Sequence, residues 1–159
     1  MKRMRSLLAL GLTGLGVAAL AACSHEALPL SLNPQYRLAY DDKGETVALA
    51  YGLPNSDDVA LMLECAKGSA RVDLSDTVRD KKATTVVLAA GGKKTSVAVQ
   101  HQQGEEDEIL AGKLPLSAPA LQAFRQTGVL QVSSGQSRYT ITAGPGARPG
   151  VERFFKVCG

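Results

Sequence analysis

From residue 37 onward the chain is a succession of short apolar or alternating runs, cut by polar and glycine-rich stops. Arg37–Tyr40 ends at Asp41-Asp42-Lys43-Gly44, and Thr46–Tyr51 ends at Gly52-Leu53-Pro54-Asn55-Ser56. Runs of this length bounded by Gly, Pro, Asn and Asp predict strands, and Asp41–Gly44 predicts a hairpin connection between the first two. Val59–Cys65 alternates imperfectly but is strongly apolar, as a strand near the middle of a core would be. Arg71–Leu74, Thr84–Ala90, Thr95–Gln100 and Ile109–Leu114 continue the series. Gly91-Gly92-Lys93-Lys94 lies between two β-branched runs and gives the clearest hairpin signal.

One segment breaks this rhythm. Ser117-Ala118-Pro119 opens a helix pattern in which Ser117 supplies a capping oxygen and Pro119 fits the first turn. Ala120, Leu121 and Phe124 form one apolar face, and Gly128 ends the helix. Val129–Ser133 and Tyr139–Thr142 predict a last strand pair, and Gly144 through Gly150 a turn segment. Val151–Cys158 is expected to be a short closing helix or turn, docked by Phe154 or Phe155. About eight short strands, one mid-chain helix and no strand–helix–strand alternation predict a mainly β fold. The expected architecture is a small antiparallel β-sandwich or barrel with one mid-chain helix and a short C-terminal helix.

The first thirty residues have a different character. Lys2, Arg3 and Arg5 precede an apolar stretch from Leu7 to Ala22, with no acidic residue before Glu26. That stretch is shorter than the roughly 20 residues of a spanning helix. A charged start, a short apolar middle and small residues at the end describe a secretory signal. Its end, Leu20-Ala21-Ala22-Cys23, resembles the lipobox of bacterial lipoproteins. The resemblance covers residues 1–23. It implies cleavage before Cys23, a lipid on the Cys23 thiol and acylation of the new amine. It also puts Ser24 at the sorting position, which implies an outer-membrane destination facing the periplasm. Two or more acyl chains anchor a protein stably, where a single chain binds marginally. The organisation expected is a signal peptide (1–22), a tether (23–34) and a single β-rich domain (35–159).

This division changes the charge picture. The chain has 18 Lys+Arg and 15 Asp+Glu, and three of the basic residues lie in the signal. The remainder is therefore 15 against 15, without the basic footprint expected of a nucleic-acid binder. With Cys23 acylated, Cys65 and Cys158 are left as an even pair in an oxidising compartment, and they are expected to form a disulfide.

Candidate chemistry is sparse. His101 is the one histidine beyond the tether, beside Gln100, Gln102 and Gln103, and reads as an exposed loop residue rather than a catalytic base. Glu105-Glu106-Asp107-Glu108 reads as a solvated hairpin tip, because four consecutive carboxylates do not converge on one ion. Arg79-Asp80-Lys81-Lys82 and Lys93-Lys94 read as polar connections that could also touch anionic headgroups or glycan. Gly144-x-Gly146 lacks the ending of a phosphate loop. No catalytic residue, metal ligand or cofactor site is specified, and the function expected is a non-enzymatic binding or structural module. Its partners would be the membrane, through the lipid, and an envelope protein or glycan. Two alternatives are an inhibitor of a hydrolase, using the Gly91–Lys94 turn or the Gln102–Glu108 loop, and a small carboxylate-dependent hydrolase.

Overall fold

A computed structural model describes residues 28–29, 32–77, 80, 82–104 and 108–159. The first 22 residues, expected to be a signal, lie outside the described residues with Cys23, Ser24 and His25, as do Arg79, Lys81 and Glu105–Asp107. The strands are β1 (Leu28–Pro29), β2 (Arg37–Asp42), β3 (Thr46–Gly52), β4 (Val59–Ala66), β5 (Arg71–Thr77) and β6 (Thr85–Ala90). They are followed by β7 (Lys93–Gln103), β8 (Glu108–Pro115), helix α1 (Pro119–Thr127), β9 (Val129–Ser134), β10 (Ser137–Thr142) and helix α2 (Arg148–Cys158). The protein is mainly β, as its pattern predicts. Nine strands form a nearly closed, antiparallel, barrel-like sheet, and two helices accompany it.

The order across the sheet is β1-β10-β9-β6-β7-β8-β5-β4-β3-β2. β7 holds the two halves together. Its first half pairs with β6, from Thr85 opposite Ala98 to Ala90 opposite Lys93. Its second half pairs with β8, from Val99 opposite Gly112 to Gln103 opposite Glu108. The strand thus changes partner at Ala98–Val99, where the sheet turns a corner.

The alternation of the strands explains what lies inside. Val72, Leu74 and Asp76 of β5 face inward, as do Val86 and Leu88 of β6 and Leu130 and Val132 of β9. α1 adds Leu121 and Phe124, and α2 adds Val151, Phe154 and Phe155, so both phenylalanines dock. These aliphatic and aromatic side chains form one continuous core. Burial of that apolar area is the main force closing the sheet.

The two ends of the barrel differ. One end gathers both helices, the C-terminus and the turns on which they rest. There the Gly68 N–H donates to Val157 O, the Ala70 N–H to Cys158 O and the Ala143 N–H to Gly128 O. Cys65 in β4 and Cys158 at the end of α2 are bonded at this end, with Cα atoms 5.9 Å apart and 93 positions between them in sequence. Lys67 and Asp42 join two neighbouring turns through a 2.8 Å ion pair. At the opposite end the chain enters, Leu28 and Pro29 pairing in parallel with Ser137 and Arg138.

Several local expectations are corrected. β2 continues through Asp42, so the turn begins later than the polar run suggests. Ser117 does not cap α1: the capping residue is Ala118, with no side-chain bond. Thr95 Oγ1, reaching from β7, accepts the Ala120 N–H instead at 3.2 Å. That acceptor satisfies one of the orphan donors of the first turn. The Gly144–Gly150 turn is also shorter than expected, since α2 already begins at Arg148. Gly150 lies within the helix, where a Cβ would stand 2.7 Å from Tyr40 Cβ, so only glycine lets α2 approach β2 this closely. Finally, Leu28–Pro29, within the stretch expected to be a tether, forms an edge strand of the sheet.

Candidate functional site

The outer face of the sheet carries a depression beside the point where β7 changes partner. Outward-facing side chains of three adjacent strands line this depression of about 570 Å³: Asp73 and Ser75 from β5, Ala98, Gln100 and Gln102 from β7, and Lys113 from β8. The small outward side chain of Ala111 and the backbone of Gly112 form its floor. A Cβ on Gly112 would lie 2.8 Å from Val97 Cγ1 and 2.9 Å from Ala98 O, closer than real contacts permit. Gly112 is therefore what allows β7 to pass at its bend.

The polar groups of this surface are uncommitted. The hydroxyl of Ser75 and the amides of Gln100 and Gln102 make no hydrogen bond with any described residue. Each amide offers two donors and an acceptor, and the hydroxyl offers one of each kind or more. Gln100 and Gln102 stand two positions apart and so project from the same face of β7. Lys113 and Asp73 close one margin through a 2.7 Å ion pair, both side chains well exposed. The surface suits neutral hydrogen-bonding groups; its one cation and one anion already satisfy each other.

His101 sits within β7 and not in a loop, which corrects the sequence expectation. β7 runs longer than its apolar pattern because its second half finds a partner in β8. The ring nitrogens lie 2.9 Å from Glu108 Oε1 and 2.9 Å from Ala83 O. Both facing atoms are acceptors, so a ring carrying two protons donates twice and a neutral ring once. The histidine fastens the start of β8 and the segment just before β6 to β7. No nucleophile accompanies it in these contacts.

Of the acidic run, Glu108 opens β8 and meets His101, while Glu105–Asp107 lie outside the described residues. In the Arg79–Lys82 cluster, Asp80 and Lys82 are described. Asp80 Oδ1 accepts the Lys82 N–H at 2.9 Å and Oδ2 accepts the Gln136 N–H at 3.1 Å. These two N–H groups, Lys82 first, hold the Asp80 carboxyl below its ordinary value of 3.8. A carboxyl with a lowered folded pKa contributes stability that is present above 3.8 and lost as pH falls through the lower, folded value. Acid below 3.8 should therefore release the β9–β10 turn from residue 80. A carbon-detected titration should give Asp80 a midpoint below 3.8, with the Gln136 amide shifting in step; a midpoint at or above 3.8 would refute this assignment.

The Gly91–Gly92 turn is tight and rests on α1, with Thr127 and Ala123 close beneath Gly91. Lys93 and Lys94 begin β7 as exposed residues. Tyr36 and Tyr51 stack edge to face, 5.7 Å between centroids, and the Tyr36 hydroxyl donates to Asp58. The residue that sequence reasoning missed is Asp76. It is 1% exposed, inside the barrel, and the Tyr139 hydroxyl donates to its Oδ1 from the opposite side of the interior. Among the described residues no group of three or more His, Cys, Asp or Glu could hold a metal ion. No helix among them is long and apolar enough to cross a membrane. Compared with protein-family models, curated proteins and solved structures, the chain has no match.

Proposed function

We propose that the chain is a lipid-anchored, non-enzymatic binding module of the cell envelope, at the outer membrane and facing the periplasm. In this reading its working surface is the concave face of β5, β8 and β7, and its ligand is a neutral, hydrogen-bonding stretch of envelope glycan or peptide. The observation that carries it is the set of uncommitted neutral groups, Ser75, Gln100 and Gln102, on one depression. A depression of this size lies within the usual range of ligand sites. The signal-like first 22 residues and Leu20-Ala21-Ala22-Cys23 support the anchor. The entry of the chain beside β10 supports an outward orientation, because it leaves the concave flank and the helical end clear of the tether.

The test uses the full chain in living cells with a photo-reactive residue replacing Gln102, and separately replacing Gln131 on the outer face of β9. The expected result is a discrete envelope adduct from position 102 and none from position 131. Equal capture from both positions, or none from 102, would overturn the assigned surface. In the same cells Cys23→Ala should abolish labelling by radioactive palmitate. Continued labelling would overturn the anchor while leaving the surface result to be judged by itself.

A further inference from the structure

We infer that the solvent face of α2 is a docking surface for an acidic segment of a partner protein. This goes beyond the concave sheet face and does not depend on the anchor. The surface is a shallow recess of about 520 Å³ at the helical end, lined by Arg125 of α1 and by Glu152, Arg153, Lys156 and Val157 of α2. Three cations thus stand against one carboxylate, in a chain whose residues after the signal balance at 15 basic and 15 acidic. The excess is local and is not a general basicity.

The cations are unequal in a useful way. Arg125 is paired with Glu152 at 2.9 Å. Arg153 and Lys156 form no ion pair with any described residue, so their charge is available. Asp42, the next acidic group toward Arg153, is itself bonded to Lys67. The two arginines are held in place by rings: Arg125 lies 5.5 Å from the centroid of Phe155, and Arg153 lies 5.6 Å from that of Tyr40. A guanidinium resting on an aromatic face loses less side-chain freedom when it meets a partner. Arg153 and Lys156, three positions apart, are neighbours on the helix surface.

Between these heads Val157, half-buried, gives the recess an apolar floor, widened by the aliphatic stems of the long side chains. A free anion would gain little from exposed cations in water. An acidic segment carrying an apolar side chain satisfies the floor and both uncommitted cations together, and that favours peptide over a simple ion. The recess lies at the end of the barrel remote from Leu28–Pro29, so an anchored molecule would present it away from its own membrane.

The test is fluorescence anisotropy of the purified full chain with a labelled peptide of alternating Glu and Leu. The alternating Gln and Leu peptide, inorganic phosphate and anionic phosphatidylglycerol vesicles serve as competitors. The acidic peptide should bind at least about tenfold more tightly than the neutral one, and R153E with K156E should remove that preference. K93E with K94E, at the Gly91–Gly92 turn, should leave it unchanged. Should the double reversal lower the melting temperature, R153Q with K156Q provides the same reading with less disturbance. Equal losses from the two pairs of reversals, equal binding of both peptides, or displacement of the acidic peptide by phosphate or vesicles as effectively as by unlabelled acidic peptide, would overturn the inference.

Discussion

Replacing Cys65 with Ser is expected to destabilise the domain by about 4–5 kcal/mol, and replacing Cys158 with Ser should cost about the same. The bond spans 93 positions, a separation at which the chain-entropy account gives nearly its largest values. Little else restrains the segment it closes when the chain is unfolded. In the folded state both sulfurs are buried, Cys65 at 1% and Cys158 at 0% exposure. Serine there adds a buried hydroxyl to the lost cross-link, so alanine variants separate the two contributions. Urea denaturation under non-reducing conditions measures the effect. The double variant should lie close to either single one, because the second substitution removes a partner already lost. Clearly additive losses would mean that the two residues stabilise the fold independently of a shared bond.

Tyr139→Phe should cost about 1–3 kcal/mol, although it removes a single oxygen. The hydroxyl donates to Asp76 across the barrel, between residues 63 positions apart. Asp76 is 1% exposed and Tyr139 5%, so water cannot readily replace the lost donor. A buried carboxylate deprived of a donor bears its desolvation cost with less compensation. A double-mutant cycle reads the coupling directly, and zero coupling would show that the bond contributes nothing to holding the two sides together.

These two expectations differ in how far the sequence announces them. The cysteine pair was expected by arithmetic: if Cys23 is set aside for its resemblance to a lipobox cysteine, two thiols are left to pair. The strands were also readable, because alternation, β-branched runs and Gly-Gly or Asn-containing stops are local signals. Asp76 was not readable. In Arg71–Thr77 it looks like one more polar residue ending a strand, and its partner in β10 carries no trace in the neighbouring sequence. Thr95 as the acceptor for α1 was hidden for the same reason: the local rule nominates Ser117, and a residue 25 positions before the donor Ala120 takes the bond. The concave face was hidden more deeply. Val97 and Val99 alternate as though β7 kept one neighbour throughout, and neither residue signals the exchange from β6 to β8. Gly112 reads as a weak point in a strand until Val97 and Ala98 are seen against it.

The bend in β7 also bears on how the chain assembles. β6, β7 and β8 follow one another in sequence and pair as a meander, so their contacts close short loops. The next pairings outward, β6 with β9 and β5 with β8, span much longer stretches of chain. Because local pairings form before distant ones reward their loop entropy, this meander and the β2–β5 meander form early, and the long-range pairings that join them come later. Each outer strand of the β6–β8 meander then offers a ready edge, β6 recruiting the C-terminal hairpin and β8 the earlier strands. Substitutions at the corner should therefore slow refolding more than they speed unfolding, and those in β10 should do the reverse.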